Sequence, residues 1–162
     1  MAAPRRPGTG AVGLVAFVAL CNGAGLASAL IATQPEFYST LVRPSWAPPP
    51  VVFGPVWTVL YTLMGIATWL VWRSDDPPAR RRALVAFAAQ LVLNVAWSPV
   101  FFGLHEVGAA VFVIVAVLVA VIVMWLEYRR VSAAAAWLVA PLAGWVAFAT
   151  ALNVAIWWLQ RG

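Results

Sequence analysis

The chain has little of what soluble chemistry needs. It holds one cysteine and one histidine, five acidic residues, and no lysine, since all ten of its basic residues are arginine. A single cysteine, Cys21, excludes an internal disulfide and, without partners, a metal site; it is read as a small packing residue. His105, beside the lone carboxylate of Glu106, lacks the companions a metal centre or proton relay requires and is read as an exposed turn residue. No Ser/His/Asp set, no paired buried carboxylates and no glycine-rich phosphate loop is present. Charge as a whole is scarce, at 9% of residues against 64% hydrophobic.

What is there in place of charge is length of apolar run. With a mean hydropathy of +0.92, the chain lies outside the range of soluble domains. A bilayer core takes about 20 apolar residues per helix, and the charges fall into the breaks between five runs of that order. These are Ala11 to Thr33, Val51 to Trp72, Ala83 to Leu104, Gly108 to Leu126 and Ala133 to Leu159. The expectation is an all-α integral membrane protein, one domain over residues 1–162, built as a five-helix bundle. No internal repeat is visible, and the only biased segment is the alanine run at 133–136.

The net charge of +5 is a topology signal. Arg5, Arg6, Arg73, Arg80, Arg81, Arg82, Arg129 and Arg130 fall on one side of a five-span chain, against Arg43 and Arg161 on the other. The positive-inside rule then predicts a cytoplasmic N-terminus, with the first loop and the C-terminus outside. No basic face is interleaved with aromatics, so nucleic acid is excluded as a partner. Membrane lipid is the expected surroundings. Arg5, Arg6, the following apolar run and Ala27-Ser28-Ala29 also have the parts of a cleavable secretory signal, and Val18-Ala19-Leu20-Cys21 loosely those of a lipoprotein box. The uninterrupted apolar length favours a retained helix, because signal cores run about 7 to 15 residues; the bulky Leu20 spoils the second reading. The segment Arg73 to Arg82 reads as a solvated turn.

Two features go beyond crossing a membrane. Between Arg43 and Tyr61 a loop with four prolines from Pro44 to Pro50 leads straight into the second span. Proline removes donors and holds the chain near polyproline geometry, so this loop is a preformed aromatic lid. The second feature is the polar residues inside spans. Gln90, Asn94, Trp97 and Phe101 share one helical face; Pro141, Trp145, Ala149 and Asn153 follow at successive fours; Trp57, Tyr61 and Gly65 form a third stripe. Burying an amide without a partner costs a few kcal/mol, so these faces point into the bundle. Gln90 and Asn153 serve either as packing glue or as ligand contacts, while Trp57 and Trp145 read as cavity wall. Of the ten tryptophans, Trp69, Trp72, Trp125, Trp157 and Trp158 sit near span ends and suit interfacial anchoring. Trp57, Trp97 and Trp145 lie deeper, which suits a flat aromatic ligand.

These residues carry a resemblance. Phe37-Tyr38, Leu41, Arg43-Pro44-Ser45-Trp46, Pro48-Pro49, Phe53-Gly54-Pro55-Val56-Trp57, Leu60-Tyr61 and Met64-Gly65 resemble the first loop and second helix of the TspO/MBR family, the tryptophan-rich sensory and translocator proteins. Gln90-Leu91, Leu93-Asn94, Trp97, Pro99 and Phe101-Phe102-Gly103 are similar to its third helix, and Pro141, Trp145, Phe148-Ala149 and Leu152-Asn153 to its fifth. The resemblance spans nearly the whole chain in order. It implies a homodimer of five-helix bundles whose pocket is closed by the first loop. It also implies ligands of the porphyrin type such as protoporphyrin IX, benzodiazepine and isoquinoline compounds, and in some members sterols.

Carried over by motif, the ligand-binding residues are Tyr38, Trp46, Pro48, Trp57, Asn94, Trp97, Trp145, Ala149 and Leu152. Trp57 and Trp145 match the indoles assigned to light- and oxygen-dependent porphyrin breakdown, so they are the catalytic residues if that reaction occurs. No covalent cofactor and no metal are implied. The chain departs from the family pattern at Phe37 and Val51, where tryptophan is common, and at Leu142, where tyrosine is usual. Leu152 to Arg161 lacks the central tyrosine of the proposed cholesterol motif, a weak pattern in any case. Three functions stay open: a tetrapyrrole receptor or sensor acting in stress response, a porphyrin-degrading enzyme, and a porphyrin or sterol transporter. Against the last stand the absence of an inverted repeat, of a broken helix pair and of an acidic residue within a span.

Overall fold

A computed structural model describes residues 10–31 and 36–162. Arg5, Arg6 and the expected end of the first span at Thr33 lie outside the described residues. Within them the chain is helical: α1 (Ala11–Ile31), a short α2 (Phe37–Thr40), α3 (Phe53–Trp72) entered through a 3-10 turn at Pro50–Val52, α4 (Pro77–Ser98) continued by a π-turn at Pro99–Gly103, α5 (Val107–Val131) and α6 (Ala133–Leu159). Five of these segments are long and apolar enough to cross a membrane. Only helices satisfy their own backbone groups in lipid without closing a barrel, so composition dictates this class.

Three boundaries differ from the sequence expectation, each for a local reason. α4 begins at Pro77 rather than Ala83, because Asp76 accepts the Ala79 N–H at 3.0 Å and Pro77 occupies the first helical position, where its missing donor costs nothing. Arg80, Arg81 and Arg82 are therefore helical, and the solvated turn shrinks to Arg73–Asp76. α5 runs on to Val131, past the expected end at Leu126, with Arg129 and Arg130 in its last turn, where cations complement the helix dipole. Glu127, one turn back, pairs with Arg130 and, at 3.2 Å, with Arg82 of α4. At the other end of α4, Pro99 has no N–H, and the helix widens so that the Leu104 N–H reaches the Pro99 carbonyl at 2.9 Å. Such π-bulges are a common answer to a proline. His105 follows with φ of 58°, a left-handed position that ends the turn before α5.

The helices close into a ring in the order α1, α3, α6, α5, α4, with α4 returning to α1. Away from the loop end, the ring axis is filled. Met64, Val71, Val121, Met124, Tyr128 and Val139 are fully buried there. Thr68 donates to the Met64 carbonyl at 2.7 Å, which leaves its oxygen to accept from the Tyr128 hydroxyl at 2.7 Å. Arginines rest on indoles at that end, Arg73 on Trp69, Arg80 on Trp72 and Arg129 on Trp125, as Arg161 rests on Trp157 at the other. Each lays its guanidinium over an indole face, a cation–π contact that suits the ends of membrane-spanning helices.

α1 approaches α3 backbone to backbone at Gly65. A Cβ there would stand 2.7 Å from the Val18 Cα and 2.9 Å from the Phe17 carbonyl oxygen. Neither atom can give way alone, so Gly65→Ala must separate the helices. The expected cost is about 1–3 kcal/mol, as for overpacking a filled core. Gly144→Ala is the reference, since no atom lies within 4 Å of its Cβ. Thermal unfolding in detergent should show Gly65→Ala melting well below wild type and Gly144→Ala at or above it; equal melting would remove the close approach from the account.

Candidate functional site

The filled axis stops short of the loop end, and above it lies a cavity of about 470 Å³. Tyr61 is its floor. The ring is stacked on Trp57 with centroids 5.4 Å apart at 30°. It sits against Gly25, where a Cβ would fall 2.5 Å from the ring. Its hydroxyl donates to Asn94 Oδ1 at 3.2 Å. The walls come from α3 (Trp57), α4 (Asn94, Trp97, with Phe101 in the π-turn) and α6 (Trp145, Ala149, Leu152). Trp97 stacks on Phe101 at 5.0 Å, and its Nε1 donates to Asn153 Oδ1 at 3.1 Å. Asn153 in turn donates from Nδ2 to the Val107 carbonyl at 3.1 Å, so one amide fixes an indole of α4 to the start of α5. Trp57 and Trp145 meet edge to face, 6.5 Å apart at 90°.

Two buried donors in this wall have no partner: Asn94 Nδ2 and Trp145 Nε1. Leaving such a group unpaired costs about 1–3 kcal/mol. No lining residue carries a formal charge at neutral pH. The cavity can therefore hold a flat, largely apolar molecule, and two unpaired N–H donors lie buried in its wall. Among the described residues no cluster of His, Cys, Asp and Glu is placed to hold a metal ion.

The loop forms a lid held at several points. The Tyr38 hydroxyl, from α2, donates to the Pro48 carbonyl at 3.2 Å, and its ring packs edge-on against Phe53 at 5.4 Å. Arg43 lies over the same ring, 4.8 Å from its centre. Gln160, beyond α6, donates to the Val42 carbonyl at 2.9 Å. Phe37 stacks on His105 at 4.2 Å and meets Phe101 edge-on, so the exposed turn histidine also carries part of the lid. Burial pushes the Tyr38 phenol above its ordinary value, partly offset by Arg43.

Of the nine residues carried over by resemblance, Tyr38, Trp57, Asn94, Trp97, Trp145, Ala149 and Leu152 line the cavity. Trp46 and Pro48 do not. Trp46 is half exposed and stands on Phe148 at 5.8 Å, while Pro48 contributes its carbonyl to the Tyr38 latch. Gln90 is fully buried, lines nothing, and has no partner for either amide atom; Asn153 is a helix tie that also faces the cavity. Sequence reasoning missed the contribution of α1. Asn22, Gly25 and Ser28 line the cavity, and their spacing of three was the available signal. It was masked by the neighbouring Ala19, Gly23 and Ala27, small residues that face outward.

A membrane-embedded five-helix bundle with an indole-walled cavity under an ordered, proline-rich lid defines a narrow class. The chain belongs to the TspO/MBR family, whose model matches residues 17–159. It is 37% identical over 145 residues to the tryptophan-rich protein TspO of Chlorobaculum tepidum, covering 86% of this chain and 90% of that one. It is 38% identical over 124 residues to the translocator protein of Homo sapiens, covering 75% and 73%. Against the tryptophan-rich protein TspO of Archaeoglobus fulgidus the figures are 36% over 152 residues, 91% and 96%.

The lid latch is testable. Because the phenol's pKa is raised in the folded protein, its contribution is complete below about pH 10, the ordinary tyrosine value, and is lost as pH rises through the folded-state value. At neutral pH, Tyr38→Phe removes one net hydrogen bond, about 1 kcal/mol. Hydrogen exchange at the Ala47 N–H, which is bonded to the Pro44 carbonyl at 3.0 Å, should then quicken about fivefold. Unchanged exchange would mean that the lid is held without the latch.

Proposed function

We propose that the chain is a membrane receptor that takes a flat tetrapyrrole such as protoporphyrin IX in its cavity and so regulates tetrapyrrole level or a stress response. Benzodiazepine and isoquinoline compounds are further ligands of the same site. The observation that supports the reading is the convergence of Trp57, Trp97 and Trp145 on one uncharged cavity that keeps the N–H donors of Asn94 and Trp145 unpaired. Indole faces stack on a macrocycle, and a turn of the Asn94 or Trp145 side chain would bring its buried donor to an oxygen at a ligand's edge. The arginine asymmetry supports a cytoplasmic N-terminus with the lid on the opposite side, and family membership supports a homodimer.

Titration of the purified protein with protoporphyrin IX should quench tryptophan fluorescence and shift the porphyrin absorption band, both saturating at one ligand per chain. Neither change would sink the receptor reading.

A second reading is favoured by the edge-to-face pair of Trp57 and Trp145 at 6.5 Å. Two adjacent indoles can supply electrons to a photo-excited ring or to oxygen, giving light-dependent oxidative breakdown with molecular oxygen as the oxidant. The double variant Trp57→Phe/Trp145→Phe should stop product formation under light and air while holding affinity within about a factor of ten, on the order of 1.4 kcal/mol. Product formation at the wild-type rate in that variant would rule out the indole route.

A further inference from the structure

The lid closes the end of the cavity, but one side is open. Among the residues that line it, Leu26 and Ala29 of α1, Pro50 of the 3-10 turn, and Gly54 and Thr58 of α3 are exposed at the bundle surface, Leu26 to 62%. They form two facing rows, spaced i,i+3 on α1 and i,i+4 from Pro50 into α3. The gap has a structural cause. Lower down, α1 is tied to α3 through Gly65 and through Asn22 Nδ2, which donates to Thr62 Oγ1 at 3.1 Å. Higher up, α1 leans toward α4 instead: the Ser28 hydroxyl reaches the Val95 carbonyl at 3.5 Å. That carbonyl lost its helical donor when Pro99 replaced an N–H. Among the described residues no hydrogen bond joins α1 to α3 above Thr62.

We propose that the cavity loads from the bilayer through this aperture between α1 and α3, and that its ligands are lipid-dissolved molecules whose leading part is uncharged. The proposal rests on the reading that the cavity holds a ligand, and not on which one.

The chemistry of the rim fits passage rather than binding. Leu26, Ala29, Pro50 and Gly54 bring no side-chain polar group. The Thr58 hydroxyl donates to the Gly54 carbonyl at 2.9 Å and the Thr62 hydroxyl to the Thr58 carbonyl at 2.8 Å. The rim thus offers no free donor and no charge, and an apolar ring crosses it without leaving a polar group stripped of its partner. The unpaired donors, Asn94 Nδ2 and Trp145 Nε1, are buried in the cavity wall beyond the rim. Gly54 and Thr58 fall in the first two turns of α3, within about 8 Å of its loop end at 1.5 Å per residue. An amphiphile entering there can keep a charged tail at headgroup level while its ring goes in. The lid route, by contrast, requires breaking the Tyr38, Arg43, Gln160 and Phe37 contacts together.

Gly54 allows a clean test, because no atom lies within 4 Å of where its Cβ would stand; a large side chain there fills the aperture without displacing the core. The full chain in lipid nanodiscs is mixed with a small apolar aryl diazirine that dissolves in the bilayer and flashed at increasing delays, the modified residues being mapped by mass spectrometry so that labelling is read as its initial rate. The outward-facing Phe112 and Val92, 75% and 68% exposed, report labelling from lipid and an intact fold. In wild type the reagent should modify Trp57, Ala149 and Leu152 as well as these. Gly54→Trp should lower labelling of the three cavity residues about tenfold, in the range over which access steps vary between related proteins, with Phe112 and Val92 unchanged. Absence of cavity labelling in wild type would overturn the proposal, as it would if a second copy covered the gap. So would cavity labelling indifferent to Gly54→Trp but raised by Trp46→Ala, which places the route through the lid. The readout uses no tetrapyrrole, so failure to bind protoporphyrin IX leaves this result standing.

Discussion

The site depends on where one phenol sits. Tyr61 occupies the place that Gly25 leaves open on α1, carries Trp57 on its face, and gives its hydroxyl proton to Asn94 Oδ1. Three helices meet in that ring, and the axis below it is packed solid. With Oδ1 accepting from Tyr61, the Asn94 amide keeps its N–H group buried and unpaired in the cavity wall. A side chain on α1 at position 25 would meet the ring at 2.5 Å and displace it from the cavity floor. The floor, the free donor and the position of Trp57 thus follow from one close contact.

Much of this was legible because helices and bilayers impose strict periods. The stripes through Asn94 and Trp97, through Trp145 and Ala149, and through Trp57 and Tyr61 each follow the helical repeat, and all converge. Trp46 and Pro48 were placed on the same site by pattern alone; the folded loop keeps both off the cavity lining, with Trp46 half exposed on Phe148 and Pro48 giving its carbonyl to the latch. A loop's side chains have no period to announce which way they face. Span ends were displaced for a related reason: hydropathy marks where a helix is wet, whereas Asp76 and Pro77 mark where its hydrogen bonds begin. The share of α1 stayed hidden because Gly25 acts by being small, and smallness reads equally as helix packing.

Proline does two jobs at the loop end of the bundle. In the lid it holds backbone extended, so that few contacts suffice to keep the cover in place. At Pro99 it removes a donor in the middle of a span. The freed Val95 carbonyl faces the Ser28 hydroxyl across a long 3.5 Å contact between α4 and α1, and the widened π-turn below the lid places Phe101 beside Phe37 and Trp97. The lid's support and the gap beside α3 therefore share an origin.

Under the proposed receptor reading, an uncharged cavity with two unpaired N–H donors in its wall would select among its ligands. Apolar contact alone discriminates weakly between flat aromatic molecules, since one methylene more or less is worth only about 1–3 kcal/mol. A ligand lacking acceptor oxygens leaves both donors buried and unpaired, as they are when the cavity is empty, and gains nothing from them. One that presents an oxygen to each recovers both penalties at once, about 1–3 kcal/mol apiece. Gln90, sealed one turn below Asn94 with its own amide unpaired, cannot take part in this exchange because no lining surface reaches it. Under the proposed receptor reading, the indole faces would supply affinity to a flat ring, and discrimination would fall to Asn94 and Trp145 once their buried donors turn to the ligand.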